Sequence, residues 1–193
     1  MREVPLTEKL AETSRYVYCK GLAPGKSGNI SVRSNEIVAI TPTGVSLRDV
    51  SAEKVVLVDF DGRVLVGSGK PSSELLVHLG VYQSRDDIQG IVHTHSPYAT
   101  GFALSREPIK HLEGFGKVMR PYLKMVNYAP PGTRMLAKLV SEGLKDENGI
   151  LLKGHGVVTT GPSIDQASIL AEFVEEIAKI QFVARMLSKD VKD

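Results

Sequence analysis

The chain has 193 residues, enough to bury one full core and too few to require two domains. Hydrophobic residues make up 42% and charged residues 24%, as in an ordinary globular protein, and 24 basic against 22 acidic side chains leave a net charge of +2. That balance argues against a nucleic-acid surface, no apolar run reaches membrane-spanning length, and a lone cysteine, Cys19, excludes an internal disulfide and a closed thiolate metal site.

Met1-Arg2-Glu3-Val4-Pro5 carries no apolar run of the secretory kind, so a cytoplasmic protein without membrane partners is expected. From Pro5 to Gly21, apolar Leu6, Leu10 and Val17 recur at helical spacing, and Gly21 is a stop signal. Cys19, inside that stretch, is expected to be buried packing. The breaker-rich segment from Leu22 to Asn29 leads into Ile30-Ser31-Val32-Arg33, which alternates like a half-buried strand. Glu36 to Thr41 completes a hairpin, followed by the turn Pro42-Thr43-Gly44. Val55 to Val58 and Val64 to Val66 flank Asp61-Gly62, a strong hairpin signal.

Beyond a loop from Gly67 to Pro71, Ser72-Ser73-Glu74 opens a helix whose stripe is Leu75, Leu76, Leu79 and Tyr82. Asp86-Asp87 lead back into the strand-like run Ile91-Val92-His93-Thr94-His95. A short helix is expected from Tyr98 to Leu104, short strands between Ser105 and Tyr128, and a helix over about 134 to 145 after Pro130-Pro131-Gly132-Thr133. A second strand pair surrounds His155. Ser163-Ile164-Asp165-Gln166 has the form of a capping box and starts a long helix reaching about Leu187. Its apolar set, Leu170, Phe173, Val174, Ile177, Ile180 and Ala184, is core or subunit interface. One α/β domain spanning 1–193, a mostly antiparallel sheet covered by helices, is the expected fold.

The chemistry gathers at three histidines. Strand residues two apart share a face, so His93 and His95 project side by side, and His155 sits between Gly154 and Gly156 after another apolar run. Three neutral imidazoles with a free fourth position suit a catalytic zinc ion; the plain alternative is a chance His-x-His and a packed core histidine. Ser27-Gly28-Asn29, Thr43-Gly44 and Ser72-Ser73 each place small polar groups or glycine at a turn or helix start, where anions dock. Each alone also reads as turn chemistry or N-capping. Glu74 in the first helical turn is either a base beside a metal-bound substrate or a carboxylate favoured by the helix dipole. His78 could be a fourth ligand, a packed helix residue or an exposed one. His111, beside Lys110 and Glu113, reads as surface, and Lys70 and Lys153 read as solvated lysines rather than Schiff-base groups.

Taken in order, Gly28-Asn29-Ile30-Ser31, Thr41-Pro42-Thr43-Gly44, Lys70-Pro71-Ser72-Ser73-Glu74, His93-Thr94-His95-Ser96, Pro131-Gly132-Thr133 and Gly154-His155-Gly156 resemble the class II aldolase and adducin head-domain family over about residues 7 to 185. The resemblance implies a three-layer α/β/α domain in a homotetramer with active sites between subunits. It implies zinc, or another divalent metal, held by His93, His95 and His155, with Glu74 approaching the metal when no substrate is bound. It implies a phosphate pocket of Ser27, Asn29, Thr43, Gly44, Ser72 and Ser73. The implied activity is cleavage of a ketose 1-phosphate such as L-fuculose 1-phosphate to dihydroxyacetone phosphate and an aldehyde such as L-lactaldehyde. Glu74 would be the catalytic proton carrier. The family's acid for the aldehyde oxygen is a tyrosine of the adjacent subunit, but Tyr122 and Tyr128 lie in no matching motif and no Tyr follows them. A pentulose-phosphate 4-epimerase would carry Asp at position 74 and another Asp beyond His95, yet none occurs between Asp87 and Asp146. Methylthioribulose-1-phosphate dehydratase shares the metal site and the Glu. An adducin-like scaffold or a metal-storage protein would not need the whole set.

Overall fold

In the computed structural model, which describes residues 5–110 and 121–190, eight strands form one sheet with helices on both faces. In chain order the elements are α1 (Leu6–Cys19), β1 (Asn29–Ser34), β2 (Ile37–Ile40), β3 (Val56–Val58), β4 (Val64–Val66), α2 (Leu75–Ser84) and β5 (Gly90–Thr94). They continue with α3 (Pro97–Ser105), β6 (Lys124–Val126), α4 (Arg134–Gly143), β7 (Gly149–Leu152), β8 (Gly156–Gly161) and α5 (Ile164–Asp190). The strand order is β4-β3-β2-β1-β5-β8-β7-β6, antiparallel throughout except for the β6–β7 pair.

Alternation along the strands assigns each residue to a layer. Val38 and Ile40 of β2, Ile91 of β5, Ile150 and Leu152 of β7 and Val158 of β8 share a core with Val77, Val81 and Tyr82 of α2 and Leu136 and Val140 of α4. Their neighbours point the other way. Ala39, Val92, Ile30 and Val32 pack on Leu10 and Val17 of α1 and on Ala167 of α5, while Leu151 and Val157 pack on Phe102 of α3 and Val174 and Ile177 of α5. The expected α/β/α layering is therefore present. By the same alternation Asn29, Ser31 and His93 fall on the α2 side of the sheet.

Local signals explain most boundaries. Gly21 takes a left-handed φ of +74°, letting the Leu22 N–H return to the Val17 carbonyl at 3.2 Å and close α1. Thr133 caps α4 by accepting from the Leu136 N–H, and Ser163 caps α5 by accepting from the Gln166 N–H, each at 3.2 Å.

Two expectations need correction. Cys19 is exposed, because it lies two residues past Val17, about 200° round the helix from the stripe that meets the sheet. On α2 the buried face is Val77, His78, Leu79, Val81 and Tyr82, whereas Leu76 is 40% exposed. The helix is wedged between the sheet and α4, so its buried arc is wider than the stripe of leucines and takes in a histidine. Along α5, Val174 and Ile177 are buried but Phe173, Ile180 and Ala184 are exposed. The region after α3 shows β6 and a bridge between Lys110 and Tyr122; His111 and Glu113 lie outside the described residues. Among the described residues no helix is long and apolar enough to cross a membrane.

The α5–β5 junction is tight. A Cβ on Gly90 would strike the backbone of Ile164 and of Ser163, which cannot move without shifting the helix start. Gly90→Ala is expected to destabilise the fold by about 3 kcal/mol, read as a lower urea midpoint at unchanged m-value; an unchanged midpoint would contradict this packing.

Candidate active site

The site forms where β1 begins and β5 ends. Antiparallel register sets Asn29 opposite His93, and on the other flank Val158 of β8 opposite His93. Gly28 makes the first approach possible: at φ +75° its missing Cβ would stand 2.8 Å from the His93 carbonyl oxygen. His155 arrives on the turn between β7 and β8, where Gly154 is left-handed at φ +70° and the His155 N–H bonds the Leu152 carbonyl at 3.0 Å. Gly156 follows, and a Cβ there would strike the Thr94 carbonyl and crowd His95 at 3.2 Å and His93 at 3.3 Å.

The three rings meet edge to face, with centroids 4.8, 4.8 and 4.9 Å apart. Each offers a ligand atom, all within 4.8 Å of one another. His93 Nδ1–H donates to the Val157 carbonyl at 2.8 Å, which fixes the ring and turns Nε2 toward the other two. His93 Nε2 and His95 Nε2 lie 3.0 Å apart. Glu74, the residue immediately before α2, completes the group: Oε2 is 3.1 Å from His93 Nε2 and Oε1 is 3.7 Å from His155 Nε2.

Electrostatics sort these groups. Burial opposes charge on Glu74, but the neighbouring His93, the hydrogen bond it donates and the Asn29 amide outweigh it and hold the carboxyl well below its usual range. Burial likewise opposes charge on His93, and Glu74 with the Val157 carbonyl reverses that and raises it. Burial, then the charge of His93, pushes His95 and His155 down to about 4, so both carry bare ring nitrogens near neutrality. Glu74 Oε1 and His155 Nδ1 are buried and have no hydrogen-bond partner among the described residues. Three imidazoles converging with a carboxylate oxygen that nothing satisfies are a donor set for a divalent cation of borderline softness.

The expected anion groups lie at the same end of the sheet. The turn after β2 is tied to the loop before α2 by Thr43 N–H to Lys70 O and Ser72 N–H to Thr41 O, both 3.0 Å, and Ile30 N–H donates to Thr41 Oγ1 at 3.2 Å. Thr43, Gly44 and Ser73 are exposed; Ser72 is buried and accepts the Glu74 N–H at 3.2 Å. Ser27 is half-buried, with its hydroxyl on Pro24 O at 2.7 Å. Asn29 is more committed than the sequence suggests: Nδ2 donates to Glu74 Oε2 at 3.0 Å and Oδ1 accepts from His78 Nε2 at 2.5 Å. Glu74 itself sits at the N-cap position rather than inside the first turn. His78 is fully buried and bonded to Asn29 and Ser31, so it is no ligand here. No local pattern marks that pairing except the spacing of four residues from Glu74. Lys70 is exposed and Lys153 only half-buried.

A sheet-end cluster of three histidines and one glutamate in an α/β/α domain defines a metal-dependent enzyme. Residues 8–182 match the family described as Class II Aldolase and Adducin N-terminal domain, and the chain belongs to that family, as a lyase of its metal-dependent aldolase type. It is 37% identical over 173 residues to the L-fuculose phosphate aldolase of Methanococcus maripaludis, covering 90% of this chain and 94% of that protein. It is 34% identical over 188 residues to the 3-oxo-tetronate 4-phosphate decarboxylase of Haemophilus influenzae, covering 94% and 89%. A solved L-fuculose 1-phosphate aldolase superposes with a TM-score of 0.90 at 31% identity, over 99% of this chain and 91% of that one.

With chelator present, His78, His95 and His155 stay neutral in the fold, depressed to about 3, 4 and 4, but protonate near 6.5 when unfolded. The unfolded chain then binds more protons below pH 6.5, so stability falls as pH drops toward 4. His78 contributes up to ~1.4 kcal/mol per pH unit and the other two less, because solvent screens them. Raised His93 acts in the opposite sense, its contribution complete below 6.5 and lost as pH rises through its folded value. Three against one gives a lower urea midpoint at pH 5 than at pH 7; equal midpoints would contradict the neutral assignments.

Proposed function

We propose that the protein is a zinc-dependent class II aldolase that reversibly cleaves a ketose 1-phosphate to dihydroxyacetone phosphate and an aldehyde, with L-fuculose 1-phosphate and L-lactaldehyde as the first pair to test. The observation that carries this reading is Glu74, an ionised carboxylate 3.1 Å from His93 at the edge of a three-histidine cluster. The fuculose phosphate aldolase names of its relatives favour that sugar. His93, His95 and His155 would hold the ion, with Glu74 beside it in the absence of substrate, and when bound the ion supplies Lewis-acid polarisation of the ketose oxygens and a sink for the electrons released at the cleaved bond.

The chain's own groups do the rest. In condensation the Glu74 carboxylate takes a proton from the hydroxymethyl carbon of dihydroxyacetone phosphate; in cleavage it relays to that carbon, by way of solvent, the equivalent of the proton lost from the substrate hydroxyl that becomes the aldehyde. Hydroxyls of Ser27, Thr43, Ser72 and Ser73 and the backbone N–H of Gly44 hold the phosphate, with the second Nδ2 hydrogen of Asn29 as a further donor. An anchored phosphate fixes the distance from the reacting carbon to Glu74. A homotetramer with sites between subunits is part of this reading, supported by the exposed apolar residues Ile169, Ile180, Phe182, Val183 and Leu187 along α5. The acid for the aldehyde oxygen is then a neighbour's tyrosine; Tyr122 and Tyr128 are both exposed. A doubly charged phosphate ester does not cross a bilayer unaided, which supports a cytoplasmic location.

The decarboxylase relative at 34% identity supports a second reading. Loss of carbon dioxide from a 3-oxo acid phosphate also leaves an electron-rich carbon, to which Glu74 would relay a proton taken up from solvent. Purified protein assayed on fuculose, ribulose and related ketose 1-phosphates and on a 3-oxo-tetronate 4-phosphate separates the two, and chelator is expected to abolish turnover. Cleavage that survives complete metal removal would overturn the metal mechanism. Glu74→Gln is expected to keep the metal and lose about 10²- to 10⁴-fold in cleavage; undiminished turnover would remove Glu74 from the chemistry.

A further inference from the structure

Behind Glu74 and Asn29 runs a buried chain of three further side chains, His78, Ser31 and Tyr82, that no step above uses. Tyr82 Oη lies 2.8 Å from Ser31 Oγ, Ser31 Oγ 2.6 Å from His78 Nδ1, His78 Nε2 2.5 Å from Asn29 Oδ1, and Asn29 Nδ2 3.0 Å from Glu74 Oε2. Every member is buried, with His78 and Ser31 at 0% exposure and Tyr82 at 1%.

The protons in this chain can be placed by elimination. An ionised Glu74 only accepts, so Asn29 turns Nδ2 toward it and Oδ1 toward His78. A carbonyl oxygen only accepts, so His78 carries its hydrogen on Nε2. Burial keeps His78 neutral, its Nδ1 is bare, and Ser31 donates to it. Ser31, its hydrogen spent on His78, accepts from Tyr82 at 2.8 Å, the shorter of the Tyr82 hydroxyl's two contacts, the other being the Gln89 carbonyl at 3.4 Å. All four donors therefore point the same way, toward the carboxylate, and each bond polarises the next. The chain orients but does not conduct, since a proton could cross Asn29 only through the imidic acid of its amide.

We infer that His78 is a positioning residue for the proton transfer at Glu74: as the Nε2–H tautomer, fixed by Ser31 and Tyr82, it locks the Asn29 amide so that its N–H faces the Glu74 carboxylate. This rests on the role proposed for Glu74 and identifies what holds that group in place. Without the His78 donor, the Asn29 oxygen loses its partner and the amide is free to turn its oxygen toward the carboxylate, which repels it from the working position.

The test uses the metal-loaded protein and the variants His78→Phe, His78→Gln and Ser31→Ala, each alone and with Glu74→Gln. His78→Phe is expected to lower kcat about 10- to 100-fold, the range for partners that orient groups at metal sites, with metal content unchanged and KM raised by less than kcat falls, the Asn29 donor to the phosphate being one of several. His78→Gln, which keeps an N–H donor, recovers part of the loss, and Ser31→Ala gives a smaller loss while leaving the helix intact should His78→Phe not fold. In the Glu74→Gln background the same substitutions lower kcat no further, because their effect on the proton transfer passes through Glu74. A full additional loss in that background, or metal content falling in step with kcat, overturns the inference. Independently of turnover, nitrogen NMR of the wild-type protein is expected to show the His78 hydrogen on Nε2, and a hydrogen on Nδ1 refutes the chain. Should the wild type cleave no ketose 1-phosphate, the aldolase reading fails while that tautomer measurement still decides the hydrogen-bond chain.

Discussion

Antiparallel pairing of β1 with β5, in the register that sets Asn29 opposite His93, is the constraint on which the site depends. It places both side chains on the face covered by α2, and Glu74 reaches them from the start of that helix. Strand register is quantised: a slip of one residue would send Asn29 and Ser31 to the opposite layer and bring Ile30 and Val32 beneath α2. Such a slip is opposed by apolar packing on both faces, since the same strands alternate Ile91 against the α2 core and Val92 against the α1 core. The hydrophobic layers therefore fix the polar geometry at the end of the sheet.

That geometry concentrates ionisable groups that could not all be charged together. One ion pair, Glu74 with His93, persists because each stabilises the other's charge against burial, while His95, His155 and His78 are kept neutral. The result is bare ring nitrogens on His95 and His155 beside an ionised carboxylate, the state a base requires; for a divalent cation to bind, His93 would in addition give up its Nε2 proton. The cost of burying these polar groups is offset by hydrogen bonds that reach back into the protein, from His93 to Val157 and from Glu74 through Asn29 to Tyr82.

Glycine governs access. Gly28 and Gly156 stand where a Cβ would collide with the backbone of β5 on either side of the histidines, and Gly132 would place one 2.9 Å from the Ser73 carbonyl. These residues let three separate segments of chain close on one spot without side chains between them. The turns carrying Thr43 and Ser72 are joined by their own backbone N–H groups rather than by side chains, which leaves the hydroxyl hydrogens of both for other work.

The sequence by itself determined a good deal. Alternation over Ile30 to Arg33, apolar runs and the Asp61-Gly62 turn marked the strands, Gly21, Thr133 and Ser163 marked helix boundaries, and the His93-Thr94-His95 spacing put two imidazoles on one face, because these are local consequences of backbone geometry. Only the tertiary structure decided that His155 comes to them across a turn 60 residues later in the chain, that Cys19 faces outward and that Leu76 is left exposed while His78 is buried. Burial of one helix face depends on what packs over it, and a polar side chain such as His78 can lie there only when partners from a distant strand satisfy both its nitrogens. Those partners, Asn29 and Ser31, are 49 and 47 residues away, a separation no local pattern encodes.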